Sequence, residues 1–231
     1  MDALIAVIIS ANSEWQAVLK HYSPSDVLIS PFGGYFFSQI NQKSILFVQG
    51  GWGKVSAAAS VQYVIDTWHP QLIINPGTCA GLQGQVSAGE IILVDETVFY
   101  DVYERMGDPD EAIRFYTTPL DLSFLHEPYP QPVRRGRLAS ADQDIDPQMV
   151  ATLREEFKVV AADWESAAIA WVVTRNQTPC LILRGVSDLV GPAGGEIYND
   201  DAVQFNDRAG QVMSSLLDAL PDWIGCVKIN L

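Results

Sequence analysis

The run Leu181-Ile-Leu-Arg-Gly-Val-Ser-Asp-Leu-Val190 decides how the rest of the chain is read. Cys180 to Leu183 is apolar, follows Pro179 and meets Gly185, the pattern of a buried strand. Yet Arg184 lies inside the run, and Ser187 and Asp188 stand where it should end. Charge on a buried strand is costly unless it is paired or used. In open α/β sheets ligands bind just beyond the carboxyl ends of the strands. Asp188 is therefore a candidate working group, the alternative being an aspartate that merely caps a loop.

The same layout recurs along the chain. Leu4 to Ile9 is a continuous apolar run, hence a central strand, and Ser10-Ala-Asn-Ser13 reads as a turn and helix cap with Glu14 in the first helical turn. An acidic residue there complements the helix dipole whether or not it has another task. Val27 to Gln49 reads as two or three antiparallel strands, with turns at Gly33-Gly34 and Asn41-Gln42. Gly50-Gly-Trp-Gly53-Lys54 then opens a helix whose apolar positions are Val55, Ala58, Val61, Ile65 and Trp68, stopped at His69-Pro70. The strand Gln71 to Asn75 ends in Asn75-Pro-Gly-Thr-Cys-Ala-Gly81, where small residues allow close backbone approach and Thr78 offers a hydroxyl. Ile91 to Val98 is a further strand, and Arg105 to Pro132 reads as a polar insertion over the sheet. Arg137 to Ser140 resumes the sheet, and Asp142 and Asp144 follow it. Pro147 starts a helix, Val159 to Ala162 is a short strand, and Glu165 opens a deeply packed helix. A last helix runs from about Asp200 to Leu220. Alternating strands and helices without repeats or linkers predict one α/β domain over residues 1–231, a mixed, twisted β-sheet flanked by helices.

Composition removes several function classes. The 231 residues include 28 acidic and 14 basic ones, a net charge of −14, and the largest basic cluster is Arg134-Arg135-Gly-Arg137. A nucleic-acid backbone finds little to hold here. The apolar N-terminal run is too short to span a bilayer and lacks a basic flank. Cys79, Cys180 and Cys226 form neither a metal spacing nor a disulfide framework, which suits a reducing compartment. The expectation is a cytoplasmic protein with no metal, cofactor, nucleic-acid or membrane partner. The glycines before Lys54 do not make a P-loop, because Val55 follows the lysine and no glycine stands five places before Gly53. A dinucleotide fingerprint lacks its third glycine.

Strand ends therefore carry Glu14, Thr78, Glu165 and Asp188, with Arg184 nearby. Carboxylates converging without metal ligands point to general acid–base work on a sugar or a base. Four motifs, Gly51-Trp-Gly-Lys-Val-Ser-Ala-Ala58, Ile73-Ile-Asn-Pro-Gly-Thr-Cys-Ala-Gly-Leu82, Asp163-Trp-Glu-Ser-Ala-Ala-Ile-Ala170 and Arg184-Gly-Val-Ser-Asp-Leu189, closely resemble the purine nucleoside phosphorylase/uridine phosphorylase superfamily. Within it the chain looks most like the methylthioadenosine/S-adenosylhomocysteine nucleosidases. The resemblance implies a nucleoside phosphorylase-like fold, hydrolysis of a purine nucleoside and a homodimer.

The resemblance also implies roles for individual residues. Asp188 matches the acid that protonates purine N7, beside the family's serine at Ser187. Glu14 matches the base that activates water, and Thr78 and Arg184 match groups that position it. Glu165 matches the glutamate that grips the ribose 2′- and 3′-hydroxyls. Trp164 takes the place of a methionine beneath the ribose, Ile145 falls in the substrate site, and Tyr198 falls near an aromatic at the 5′ end. Two departures bear on substrate: Asp144 stands where a base-stacking aromatic is usual, and Trp52 where a smaller apolar residue is. Related phosphorylases carry an arginine at the position of Asn75, so hydrolysis is expected over phosphorolysis. A non-catalytic nucleoside-binding relative is the remaining reading.

Overall fold

The first strand shows how the layers are built. In β1 (Leu4–Ile9), Ile5, Val7 and Ile9 face one way, and Ala6 and Ile8 the other, all of them without solvent contact. Helices cover both faces, so the strand reads as an unbroken apolar run rather than an alternation. Ile5, Val7 and Ile9 pack with Trp15 and Val18 of α1 (Asn12–Tyr22) and with Val212, Met213 and Leu216 of α6 (Ala202–Gly225). Ala6 and Ile8 pack with Ala57, Val61 and Val64 of α2 (Gly53–Trp68) and with Ala167 and Ile169 of α5 (Ser166–Arg175). A third, smaller core joins Val150 and Leu153 of α4 (Val150–Glu155) to Leu82, Ala139 and Ala162.

This computed structural model describes residues 4–195 and 202–229. Its sheet is mixed and flanked by helices. β1 runs parallel to both β4 (Lys43–Gln49) and β5 (Leu72–Leu82), and β2 (Leu28–Ser30) and β3 (Gly33–Ile40) extend the β4 edge antiparallel. Beyond β5 the sheet closes on itself. β5 pairs with β10 (Cys180–Gly191), β10 with β6 (Ile91–Phe99), β6 with β8 (Arg134–Ser140), β8 with β9 (Ala161–Asp163), and β9 with β5 again. The polar stretch after β6 supplies a short helix, α3 (Pro109–Phe115), and an edge strand, β7 (Thr117–Pro119). No described helix is long and apolar enough to cross a membrane.

Several local expectations shift. The strands expected to stop at Asn75 and near Gly185 instead run 11 and 12 residues, to Leu82 and Gly191, and pair with each other almost throughout. A sheet that closes into a ring gives each strand two partners beyond its apolar segment, so polar residues can remain in the ladder. Asn41 and Gln42 form the expected turn, both in left-handed backbone. The turn placed at Gly33-Gly34 falls instead on Pro31-Phe32, and those glycines begin β3. In α2 the packed face is Ala57, Ser60, Val61 and Val64, and Val55 is 80% exposed.

Candidate active site

The most telling local feature is an irregularity in β10. Its pairing with β5 slips between Val186 and Asp188, leaving Ser187 as the extra residue of a bulge. In a regular strand, neighbouring side chains point to opposite faces. The bulge re-aims them, and Ser187 and Asp188, each 2% exposed, both line one cavity of about 350 Å³. Ser187 Oγ lies 2.7 Å from Asp188 Oδ1 and 3.1 Å from the Cys79 carbonyl oxygen. One hydroxyl proton cannot serve both acceptors. With that proton on the carbonyl, the 2.7 Å contact is a hydrogen bond when Asp188 carries a proton. With the hydroxyl turned to Asp188, it is one when Asp188 is ionised. Ser187 can thus hydrogen-bond Asp188 whether or not Asp188 carries a proton.

Across the cavity, Glu14 is buried at the third position of α1. Its Oε2 accepts the Ala11 N–H at 3.2 Å, closing the helix start. Its Oε1 reaches the neighbouring strand, accepting the Thr78 N–H at 2.6 Å and the Thr78 hydroxyl at 2.9 Å. A residue that only complemented its helix dipole would not be tied to β5 in this way. Thr78 therefore orients Glu14 directly.

Glu165 caps α5 at the end of β9, 7% exposed, with Oε1 accepting the Gly53 N–H at 2.9 Å. Burial pushes its carboxyl up to about 8. The charge of Asp163 adds to this, and the Gly53 N–H and Arg184 pull against it. Gly53 sits at φ +83°, and a side chain there would come within 2.9 Å of Asp142 Oδ1. The glycines ahead of Lys54 thus bring the start of α2 onto Glu165 and Asp142.

Asp163 is the site residue that reading the sequence missed. It accepts from Ser140 Oγ at 2.5 Å, from the Glu165 and Ser166 N–H groups at 3.2 and 3.1 Å, from the Ser166 hydroxyl, and from Arg184 Nε at 2.7 Å. Arg184, 2% exposed, also donates to the carbonyl and side-chain oxygens of Asn75. Burial opposes its charge, but Asp163 and Glu14 more than compensate and hold its pKa above the usual guanidinium value. Arg184 lies behind the cavity wall, and a Cβ at Gly77 would touch both it and Glu14 at 3.1 Å. The available signal was Asp163 directly after two strand alanines, a buried charge that needed a buried partner.

Thr78, Ile145, Trp164, Glu165, Ser187, Glu14 and Asp188 all line the cavity, as do Trp52 and Asp144. Tyr198 lies outside the described residues. Trp52 and Trp164 stack with centroids 5.0 Å apart. Cys79 also lines the cavity, but burial, with Asp163 nearby, raises its thiol well above the ordinary range, so it is no ready nucleophile. Five carboxylates border the space, from Glu14, Asp144, Asp163, Glu165 and Asp188, and no lysine or arginine stands among the described lining residues.

Known proteins resemble the chain over most of its length. The family model described as the phosphorylase superfamily matches residues 5–221. A 5′-methylthioadenosine/S-adenosylhomocysteine nucleosidase of Bacillus pumilus is 30% identical over 183 residues, 72% of this chain and 76% of the relative. The nucleosidase of that name from Campylobacter jejuni superposes with a TM-score of 0.76 at 19% identity, covering 95% of this chain and 99% of its own. The futalosine hydrolase of Helicobacter pylori superposes at 0.79 with 19% identity, over 96% and 98%.

Proposed function

The chain belongs to the phosphorylase superfamily, and from that premise we propose that it is a hydrolytic nucleosidase. It cleaves the N-glycosidic bond of a purine nucleoside, 5′-methylthioadenosine or S-adenosylhomocysteine, and releases adenine. The observation that carries this reading is the acidic lining of the cavity, five carboxyl groups, of which Glu165 favours its neutral form, with no lysine or arginine among its described lining residues. A phosphate nucleophile is a multiply charged anion and needs cations or a nest of amides. Arg184 is committed to Asp163 and Asn75, and Arg208 of α6 donates to the Ser187 carbonyl at 3.2 Å without lining the cavity. Water carries no charge and meets no such barrier.

Chemistry follows from the pairings. Adenine leaves poorly as an anion, so a proton delivered to its ring nitrogen by Asp188 lets it depart neutral. The ribose becomes oxocarbenium-like, and neighbouring carboxylates stabilise that positive charge. Glu14, held by three donors, takes the proton of the attacking water. Glu165 receives the ribose hydroxyls, and Trp164, next in sequence, forms an apolar wall. Asp144 favours the 6-amino edge of adenine over a 6-oxo group. Trp52, stacked on Trp164, suits a methylthio group, because sulfur–aromatic contacts contribute about 0.3–1.5 kcal/mol. Methylthioadenosine is therefore expected to be the better of the two substrates.

A homodimer fits the surface beside the cavity. Trp52 (66% exposed) and Val55 share the start of α2, which the Lys54–Asp101 pair ties to the segment bearing exposed Tyr103 and Met106. Three free cysteines, two of them buried, support a cytoplasmic location.

The test is a nucleoside panel with and without phosphate. Adenine and free 5′-methylthioribose should appear in phosphate-free buffer at the same rate as with phosphate. Asp188→Asn should lose at least about a hundredfold in kcat, the usual contribution of a general acid. Strict phosphate dependence with a sugar 1-phosphate product would overturn hydrolysis.

A further inference from the structure

Beside the cavity, a partly exposed cluster of charged groups has no part in the chemistry above. Asp142 Oδ1 accepts the Lys54 backbone N–H at 2.7 Å. The Asp142 N–H donates to Asp101 Oδ2 at 3.2 Å, and Lys54 Nζ lies 2.5 Å from that same oxygen and 3.8 Å from Asp142 Oδ2. Asp142 is not one of the cavity-lining residues.

The cluster answers a structural need. α2 runs 16 residues, but its cap position is Trp52, which makes no side-chain cap hydrogen bond. The first N–H groups of a helix have no partner within it. Here two carboxylates distant in sequence supply the partners: Glu165 takes the Gly53 N–H and Asp142 the Lys54 N–H. These amides flank a single Cα, so with the Lys54 amide held only the φ and ψ of Gly53 remain to move the Gly53 N–H. The stacked Trp52 and Trp164, each immediately preceding a partner of the Gly53–Glu165 bond, clamp the same junction.

We propose that Asp142 is a positioning residue for Glu165. By holding the Lys54 amide it docks the start of α2 so that the Gly53 N–H fixes one oxygen of Glu165 and leaves the other for the sugar. This rests on the reading of Glu165 as the ribose-binding group. The acceptor oxygen carries the effect rather than the charge. Asp142 is 43% exposed, and an ion pair so open to solvent contributes little. Asp142→Asn keeps the acceptor and Asp142→Ala removes it.

Two measurements on the full chain decide the matter. In methylthioadenosine hydrolysis, Asp142→Ala should raise KM about tenfold with kcat within about threefold, the signature of lost binding alignment rather than lost chemistry. Asp142→Asn should stay within about twofold of wild type in both. The second readout needs no substrate. The Gly53 amide resonance, followed by NMR from pH 6 to 10, should report the titration of Glu165 in wild type and Asp142→Asn, and lose that dependence in Asp142→Ala. Asp163, Arg184 and Glu14 act on the charge of Glu165, Asp144 and Asp188 share its cavity, and all five are unchanged in these variants. Equal KM changes in the two variants, or an unaltered Gly53 titration in Asp142→Ala, would overturn the proposal. If no nucleoside is cleaved at all, the functional reading fails and the Gly53 resonance still tests the positioning. Should Asp142→Ala not fold, Lys54→Pro deletes the same hydrogen bond from the donor side, in the helical turn that tolerates proline. Lys54→Ala is its side-chain control, and the same outcomes decide.

Discussion

Glu165 is buried with Asp163 beside it, and a carboxyl so placed favours its neutral form. In the unfolded chain it titrates near 4.5, and in the fold near 8. Between those values the folded state holds the proton more tightly than the unfolded state does, so stability falls as pH rises through that window. The melting temperature of the ligand-free protein should therefore decline from pH 6 to pH 9, and Glu165→Gln, which cannot ionise, should flatten the decline. Parallel pH profiles for the two chains would show that Glu165 does not hold its proton. The sequence pointed to Glu14, Glu165 and Asp188 because each is a carboxylate standing near the end of an apolar strand run, where an idle charge is costly. It did not reveal Asp163, whose partners Ser140 and Arg184 lie 23 and 21 residues away along the chain and meet it only in the closed sheet.

Between β10 and α6 the packing leaves no room for a methyl group at Gly185. A Cβ there would lie 2.0 Å from Val212 Cγ1 and 3.2 Å from Ile91 Cδ1. Overpacking of this kind costs about 1–3 kcal/mol, and each kcal/mol moves the melting temperature of a chain this size by roughly 2–4 °C. Gly185→Ala should lower the melting temperature by roughly 2–12 °C, and adding Val212→Ala should restore part of the loss, because the two sites share one contact. An unchanged melting curve would mean that α6 shifts aside without cost. Gly185 looked like the end of a strand because glycine commonly bounds an apolar run, whereas its lack of a side chain lets the helix settle on a strand that continues. The bulge at Ser187 was equally hidden, since nothing in Val186-Ser187-Asp188 marks a register slip. The helix of residues 53–68 was legible from its start and stop. Its buried face was not, because Val55 and Trp52 are apolar yet exposed.

For the molecule as a whole, the net charge of −14 and the ionised carboxylates around the cavity, Glu165 apart, act in the same direction. The parts of the chain outside the description contain no lysine or arginine either. Composition alone made the excess of negative charge visible, but its concentration at one site required the fold, which brings α1, β5, β9, β10 and the loop after β8 together. A low-dielectric cleft lined by one sign of charge raises the local concentration of the opposite sign and repels its own, and salt weakens both effects. A neutral nucleoside such as methylthioadenosine should therefore be cleaved with a kcat/KM that hardly changes with ionic strength. An analogue of the same size carrying a carboxylate on the 5′ sulfur should be cleaved far more slowly at low salt, by about tenfold or more if the repulsion reaches 1.4 kcal/mol. Raising the salt to about 0.5 M, where the Debye length drops to roughly 4 Å, should recover part of that deficit. Steady-state rates for both substrates across a salt series make the comparison. If the anionic analogue matches the neutral one at low salt, a cation reaches the cavity, and the argument against a phosphate nucleophile loses its footing along with this prediction.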